Sequence, residues 1–440
     1  MSDIAGIPYL LAHFDKNGAP KNTVTLPAGT TDLFVISHGW NNDQEAAEKL
    51  YKELFTNLAA VAPELLARKL AILGVIWPSK QFTDLVNASA SQGGAAGLAA
   101  AAVPDQTIIK KLDLLEDLFG PESAANIAQA KTKIGQLETD PAARDEFVKL
   151  LVDLVDPAAA HKEDASDKLF SLSGSQILEK LQVPTPVAPA SGAGGGGATA
   201  LGGGATTPQA AGGAAGLGDV FSGIKAGATR LLNYLTYYEM KARAGTVGAG
   251  VGQLLDKLAP SVQRIHLVGH SFGGRLVSAA AMASTTPKIQ SMALLQAAFS
   301  HNGFSGNFDD SDPARPGFFR EVVKQSRVKG PILITHTPND TAVGILYPTA
   351  SRLSGTVASA YGDKNDKFGG IGRNGAQKMK SSETAAAVAK LLPVGGAYPW
   401  EAGKFHNLEA SEFIKDPKGG DAHGFVTGKE VAWAISRAAT

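Results

Sequence analysis

The chain contains no cysteine, which excludes disulfides, thiolate metal sites and a cysteine nucleophile. It carries no net charge either: 41 Lys plus Arg balance 41 Asp plus Glu over 440 residues. With no basic run in view, nothing in the electrostatics argues for nucleic acid or an anionic membrane as partner. Met1 to Pro20 lacks the basic start and following apolar stretch of a signal peptide. A long hydrophobic run is missing too. The most apolar segment, Gly93 to Pro104, is rich in Ala and Gly and too short to span a bilayer. Together these absences predict a soluble, cytoplasmic protein with no integral membrane segment; they leave the oligomeric state open.

What is present reads as alternating strands and helices at both ends of the chain. Asp32 to Ser37 and Leu70 to Trp77 are continuous apolar runs, separated by Ala46 to Leu58 with leucines at helical spacing. Later come strands at Arg264 to Val268, Ser291 to Ala297, Pro331 to Thr335 and Lys404 to Leu408, with helices at Tyr237 to Leu258, Gly274 to Ala283 and Lys429 to Ala439. Strands apolar throughout and separated by helices predict a mostly parallel sheet with helices on both faces. Residues 81–230 break the pattern. They are helix-rich, with one stripe at Ile108, Leu112, Leu115 and Phe119 and another at Phe147, Leu151 and Leu154. Within them, residues 184–218 are dominated by Pro, Ala, Gly and Thr, a composition that predicts a flexible segment. We therefore expect one core domain from residues 1–80 and 231–440, about 290 residues in all, interrupted by a helical insertion.

Gly269-His270-Ser271-Phe272-Gly273 matches G-x-S-x-G. In a chain with 50 glycines the pattern alone is weak. Its setting, after a buried strand and before a helix rich in small residues, is that of a nucleophile elbow. The turn is so sharp that Cβ atoms on either side would clash, hence the glycines, and the helix N-terminus beneath favours developing negative charge. Ser271 is the candidate nucleophile, expected to project above the sheet.

The run Arg264 to Ala280 resembles the nucleophile segment of the α/β-hydrolase superfamily. Ser37 to Asp43, Ile76 to Lys80 and His336 to Pro348 are similar to segments of a group of largely uncharacterised bacterial members. The likeness covers the two outer pieces and leaves out the insertion. It implies an α/β-hydrolase fold with a helical cap, and a triad in the chain order Ser, Asp or Glu, His. Asp340, just past a strand, is then the candidate carboxylate, while Asp309, Asp310 and Asp312 are read as a solvent-facing loop. Only His406 and His423 follow Asp340. His406 falls inside a strand; His423 lies in the Gly-rich loop Gly419 to Gly424, from which a base could reach Ser271. The resemblance also puts the oxyanion hole at the N–H groups of Trp40 and Phe272, with Gly39 permitting the turn, the Trp40 ring as a pocket wall and Asn41 near substrate.

These assignments predict a serine esterase or lipase-like enzyme acting on a small, hydrophobic acyl ester through an acyl-enzyme, with no metal or organic cofactor. Thioester and amide substrates stay open. The insertion reads either as a lid over the pocket or as an interaction module. The rival reading is a catalytically silent hydrolase-like protein that binds a ligand or partner through that insertion.

Overall fold

The computed structural model describes residues 2–79, 103–182, 223–343, 353–354 and 367–440. The Gly/Ala/Pro-rich segment 184–218 lies outside them, as do residues 93–102 of the most apolar stretch and 344–348 of the third resembling segment. The protein is an α/β structure built on one eight-stranded sheet. Its strands are β1 (Ser2–Ile4), β2 (Ile7–His13), β3 (Asp32–Ser37), β4 (Leu70–Ile76), β5 (Arg264–His270), β6 (Ile289–Leu295), β7 (Ile332–His336) and β8 (Phe405–Glu409). The order across the sheet is β1-β2-β4-β3-β5-β6-β7-β8. β1 is antiparallel to β2, and all other pairs are parallel.

β1 and β2 are additions to the strands expected from sequence. They form a hairpin whose two-residue turn places Ala5 at φ 50° and Gly6 at φ 81°, the left-handed pair that matches strand twist. Pro8 sits in β2 opposite Asp3, and so short a hairpin carries little periodic signal.

Helices cover both faces. In chain order they are α1 (Gln44–Val61), α2 (Asp105–Phe119), α3 (Ala124–Lys133), α4 (Pro141–Val152), α5 (Gly174–Leu181), α6 (Ile224–Leu258), α7 (Phe272–Ala283), α8 (Arg320–Lys324), α9 (Ile371–Asn374) and α10 (Lys429–Ala438). Alternate residues of the strands serve the two faces, as a period of two requires. Phe34 and Ile36 pack with Leu54, Phe55, Val431 and Ile435 of α1 and α10. Leu33 and Val35 join the cluster built on α6 and α7.

That second cluster runs without a break into the insertion: Ile108, Leu112 and Leu115 of α2 and Phe147 and Leu151 of α4 belong to it. The boundary expected at residue 230 falls in the interior of α6, a 35-residue helix. The described part of the insertion therefore shares the core of the sheet instead of standing apart on a core of its own. Helix α6 survives its many glycines because they let it approach α7. A Cβ at Gly248 would lie 2.4 Å from the Leu276 carbonyl oxygen, so tertiary packing outweighs helix propensity there. No described helix is long and apolar enough to cross a membrane.

One buried charge in this layer yields a stability prediction. Lys111 of α2 is 4% exposed and donates to Asn233 Oδ1 at 2.8 Å. Burial pulls its ammonium down to about 8. The folded state thus bears the full penalty of the buried charge below that pH, and the penalty fades as pH rises toward the unfolded value. Lys111→Met is expected to stabilise the protein by about 1–3 kcal/mol at neutral pH. Thermal melts at pH 7 and near pH 10 check this, because the gain should shrink at the higher pH.

Candidate active site

β3 connects to β4 on one side of the sheet, whereas β5 connects to β6 on the other. The boundary between β3 and β5 is thus a topological switch point, where a crevice opens outside the carboxyl ends of the strands. Two loops emerge there: residues 38–40 after β3 and the turn at Ser271 after β5.

Ser271 has φ 56° and ψ −125°, a region that costs a non-glycine residue about 1–3 kcal/mol and persists only where its surroundings enforce it. They do so here. The Ser271 N–H donates to Leu295 O at 3.0 Å, and its carbonyl accepts from Gly274 N and Ala298 N, each at 2.9 Å. A Cβ at Gly269 would lie 2.3 Å from the Gly273 oxygen, and one at Gly273 would lie 2.1 Å from the Ser37 oxygen. Neither position admits a side chain. The turn is therefore the sharp elbow its sequence predicts, with α7 starting at the next residue.

The expectation that Ser271 stands open above the sheet is not met. The residue is only 6% exposed, and its Oγ has no hydrogen-bond partner among the described residues. The 38–40 loop presses close on it: a Cβ at Gly39 would be 2.5 Å from Ser271 Cβ and 3.0 Å from Oγ.

That loop is fixed by His38, which the sequence reading left without a role. The His38 N–H donates to Tyr51 Oη at 2.8 Å, and the Tyr51 hydroxyl donates to Val75 O at 2.7 Å. Its ring stacks on Trp77 at 5.6 Å, with Nδ1 2.9 Å from the Gly39 carbonyl oxygen. Burial lowers its pKa to about 4, so the ring is neutral and Nδ1–H is the donor. Asn41, at φ 62°, is tied through its own N–H to Ser79 O at 2.9 Å. Among the described residues, neither the Trp40 nor the Phe272 amide N–H has an acceptor, the state an oxyanion donor needs before substrate binds. The Trp40 ring is partly buried and meets Phe272 edge-on at 6.1 Å; Tyr237 contacts Phe272 from α6 at 5.4 Å. These three rings make the surroundings of the elbow apolar.

Asp340 follows β7 and is completely buried. Its Oδ2 accepts from His423 Nδ1 at 2.9 Å and from Gln296 Nε2 at 3.1 Å, and its Oδ1 accepts from Val343 N at 2.9 Å. Gln296, directly after β6, also donates to Gly372 O at 2.8 Å. It adopts φ 44°, and no sequence signal pointed to it. His423 is buried too. Burial alone would pull its imidazole down, but the charge and hydrogen bond of Asp340 and the charge of Asp421 outweigh it, so its pKa is raised. With Nδ1–H committed to Asp340, the neutral ring presents Nε2 as a base. The imidazole lies against the residue that precedes Ser271: the His270 and His423 rings are 4.9 Å apart. No Oγ–imidazole hydrogen bond is formed in this arrangement, and such bonds often tighten only with substrate present.

His406 is held elsewhere. It lies in β8 with its ring edge-on to Trp400 at 4.7 Å, and its Nε2 accepts from Glu401 N at 3.2 Å. Asp310 and Asp312 are exposed, and Asp309 pairs with Arg315 and Lys367.

A bonded Ser–His–Asp row crosses the sheet lower down. Ser291 Oγ is 2.9 Å from His266 Nδ1, and His266 Nε2 is 3.4 Å from Asp32 Oδ1. This row lacks what surrounds Ser271. Ser291 sits inside β6, next to a shift in the β5–β6 register, with no elbow and no helix N-terminus behind it. Asp32 is claimed by Arg264, at 2.6 and 3.0 Å, and by Arg68 at 3.3 Å. Burial pushes the Asp32 carboxyl up, but the bonds from His266, Arg264 and Thr31 win and hold it well below its usual range. The row ties β3, β5 and β6 together.

Among the described residues no group of three His, Asp or Glu side chains is placed to hold a metal ion. No protein-family model, curated protein or solved structure matches the chain.

Proposed function

We propose that this chain is a serine hydrolase of the α/β-hydrolase type that cleaves carboxylic esters through an acyl-enzyme. The observation that carries the reading is the strained backbone of Ser271 at the carboxyl end of a central strand, maintained beside a buried Asp340–His423 pair. Backbone strain of this kind clusters at functional sites, where the surrounding structure enforces it.

In the proposed reaction His423 Nε2 takes the hydroxyl proton as Ser271 Oγ attacks the ester carbonyl. Asp340 holds the tautomer and stabilises the imidazolium that forms. The amides of Trp40 and Phe272 receive the oxyanion. The imidazolium then protonates the leaving alcohol, and water repeats the cycle to release the acid. The apolar surroundings formed by Trp40, Phe272 and Tyr237 suit a small, hydrophobic acyl ester; thioesters and amides pass through the same steps.

One observation favours a catalytically silent binding protein instead: Ser271 is enclosed. A fluorophosphonate probe separates the two readings. We expect one adduct per chain, located by mass spectrometry at Ser271 and not at Ser291. An intact, folded chain that takes up no probe would overturn the hydrolase reading.

A further inference from the structure

Between the two glycines of the elbow, His270 does something that the triad does not account for. Its Nε2 lies 2.9 Å from the carbonyl oxygen of His423. A carbonyl can only accept, so Nε2 carries the proton and Nδ1 is bare. The Nδ1 atom is indeed buried without a partner. Burial, with the neighbouring His423 as the next cause, drives the His270 pKa down to about 3, so the ring stays neutral and remains a donor throughout any working pH range.

The loop that carries His423 needs such a tie. Its sequence, Gly419-Gly420-Asp421-Ala422-His423-Gly424, is rich in residues that lose much freedom on ordering. The part before the imidazole is anchored by Asp421 Oδ1, which accepts from Thr341 N and Oγ1, each at 2.9 Å, and from Ala342 N at 3.3 Å, and by Ala422 N, which donates to Asn339 O at 3.2 Å. Both lead to the loop of Asp340. Among the described residues, the bond from His270 alone joins the peptide of His423 to the strand that ends at Ser271.

Resting on the serine-hydrolase reading, we propose that His270 is a positioning residue, whose Nε2–H clamps the His423 peptide to the elbow and so sets the imidazole against Ser271. A displacement of about 1 Å at such a site costs on the order of 10²-fold in rate. The bond acts on placement of the base and not on the acyl pocket, so the loss belongs in kcat.

Three variants test this on a p-nitrophenyl ester. His270→Phe fills the space but removes the donor and should lower kcat by about 10²-fold with KM within about threefold. His270→Gln, whose terminal amide N–H extends about as far as Nε2, should restore kcat to within about tenfold of the parent. His270→Asn is polar but too short, and should behave like His270→Phe; it serves if the phenylalanine chain does not fold, as judged by circular dichroism. Equal kcat in the Gln and Asn chains, or a folded Phe or Asn chain within about threefold of the parent, would overturn the clamp while leaving the hydrolase reading intact. A parent chain that neither turns over the ester nor takes up fluorophosphonate would instead sink the underlying reading, and the clamp with it.

Discussion

Ser271→Ala is expected to lower kcat on an activated p-nitrophenyl ester by about 10⁴-fold or more, leaving at most the weak turnover that an oxyanion hole and binding alone supply. The expectation is specific to this serine. Ser291 also has a histidine and an aspartate in line, but its carboxylate is neutralised by two arginines, and its backbone lies within strand β6. Ser291→Ala should therefore keep most of the activity and lose stability, as a broken buried hydrogen bond does. Steady-state kinetics and melting curves on the two alanine variants read both effects. If Ser271→Ala kept even a tenth of the parent rate, with the protein free of contaminating esterase, the assignment of the nucleophile would fall.

His423→Ala should cause a loss of similar size, whereas His406→Ala should keep most of the rate. The contrast follows from their partners: one imidazole is bonded to a buried carboxylate, the other to the backbone of Glu401. Asp340→Asn should cost about 10⁴-fold, because an amide in that place favours the wrong tautomer of the base. The pH profile gives an independent check. His423 must be neutral to accept the serine proton, and its pKa is raised above the ordinary histidine value of 6.5. Activity should therefore fall as pH drops through a midpoint above that value, read from kcat/KM, which reports the free enzyme. The residual activity of Asp340→Asn should show the midpoint moved downward, since the charge that raises it is gone. Stability runs the other way: the raised pKa adds stability below the unfolded value and loses it as pH rises through the folded one.

Much of the fold was legible because the signals are local. Apolar runs marked β3 to β8 to within a few residues, and the stripe through Ile108, Leu112, Leu115 and Phe119 marked α2. The N-terminal hairpin was not read, since strands of three and seven residues with a proline in one give little periodicity. Helix α6 extends further toward the N-terminus than the sequence suggests: residues 224–230 fall in the stretch assigned to the insertion and pack on α5, where a Cβ at Gly227 would lie 2.5 Å from the Leu178 carbonyl oxygen. The insertion was read as a separate unit for the same reason: a sequence does not say which apolar stripe packs on which. His38, Gln296 and Asp421 act through backbone groups or on a partner far along the chain, and that leaves no mark in spacing.

The sequence by itself determined the elbow. Gly269 and Gly273 flank Ser271 between a strand and a helix, and the constraint operates over a few bonds, where steric exclusion is strong and the choice of residue is forced. The tertiary structure alone decided that Asp340 meets His423 across 83 residues, that His406 does not, and that the bonded Ser291–His266–Asp32 row lies within the strands, away from the elbow. It also enclosed the serine that sequence had placed in the open. Those outcomes depend on which loops close on one another and which way side chains face, and such long-range choices are made by packing of the whole core.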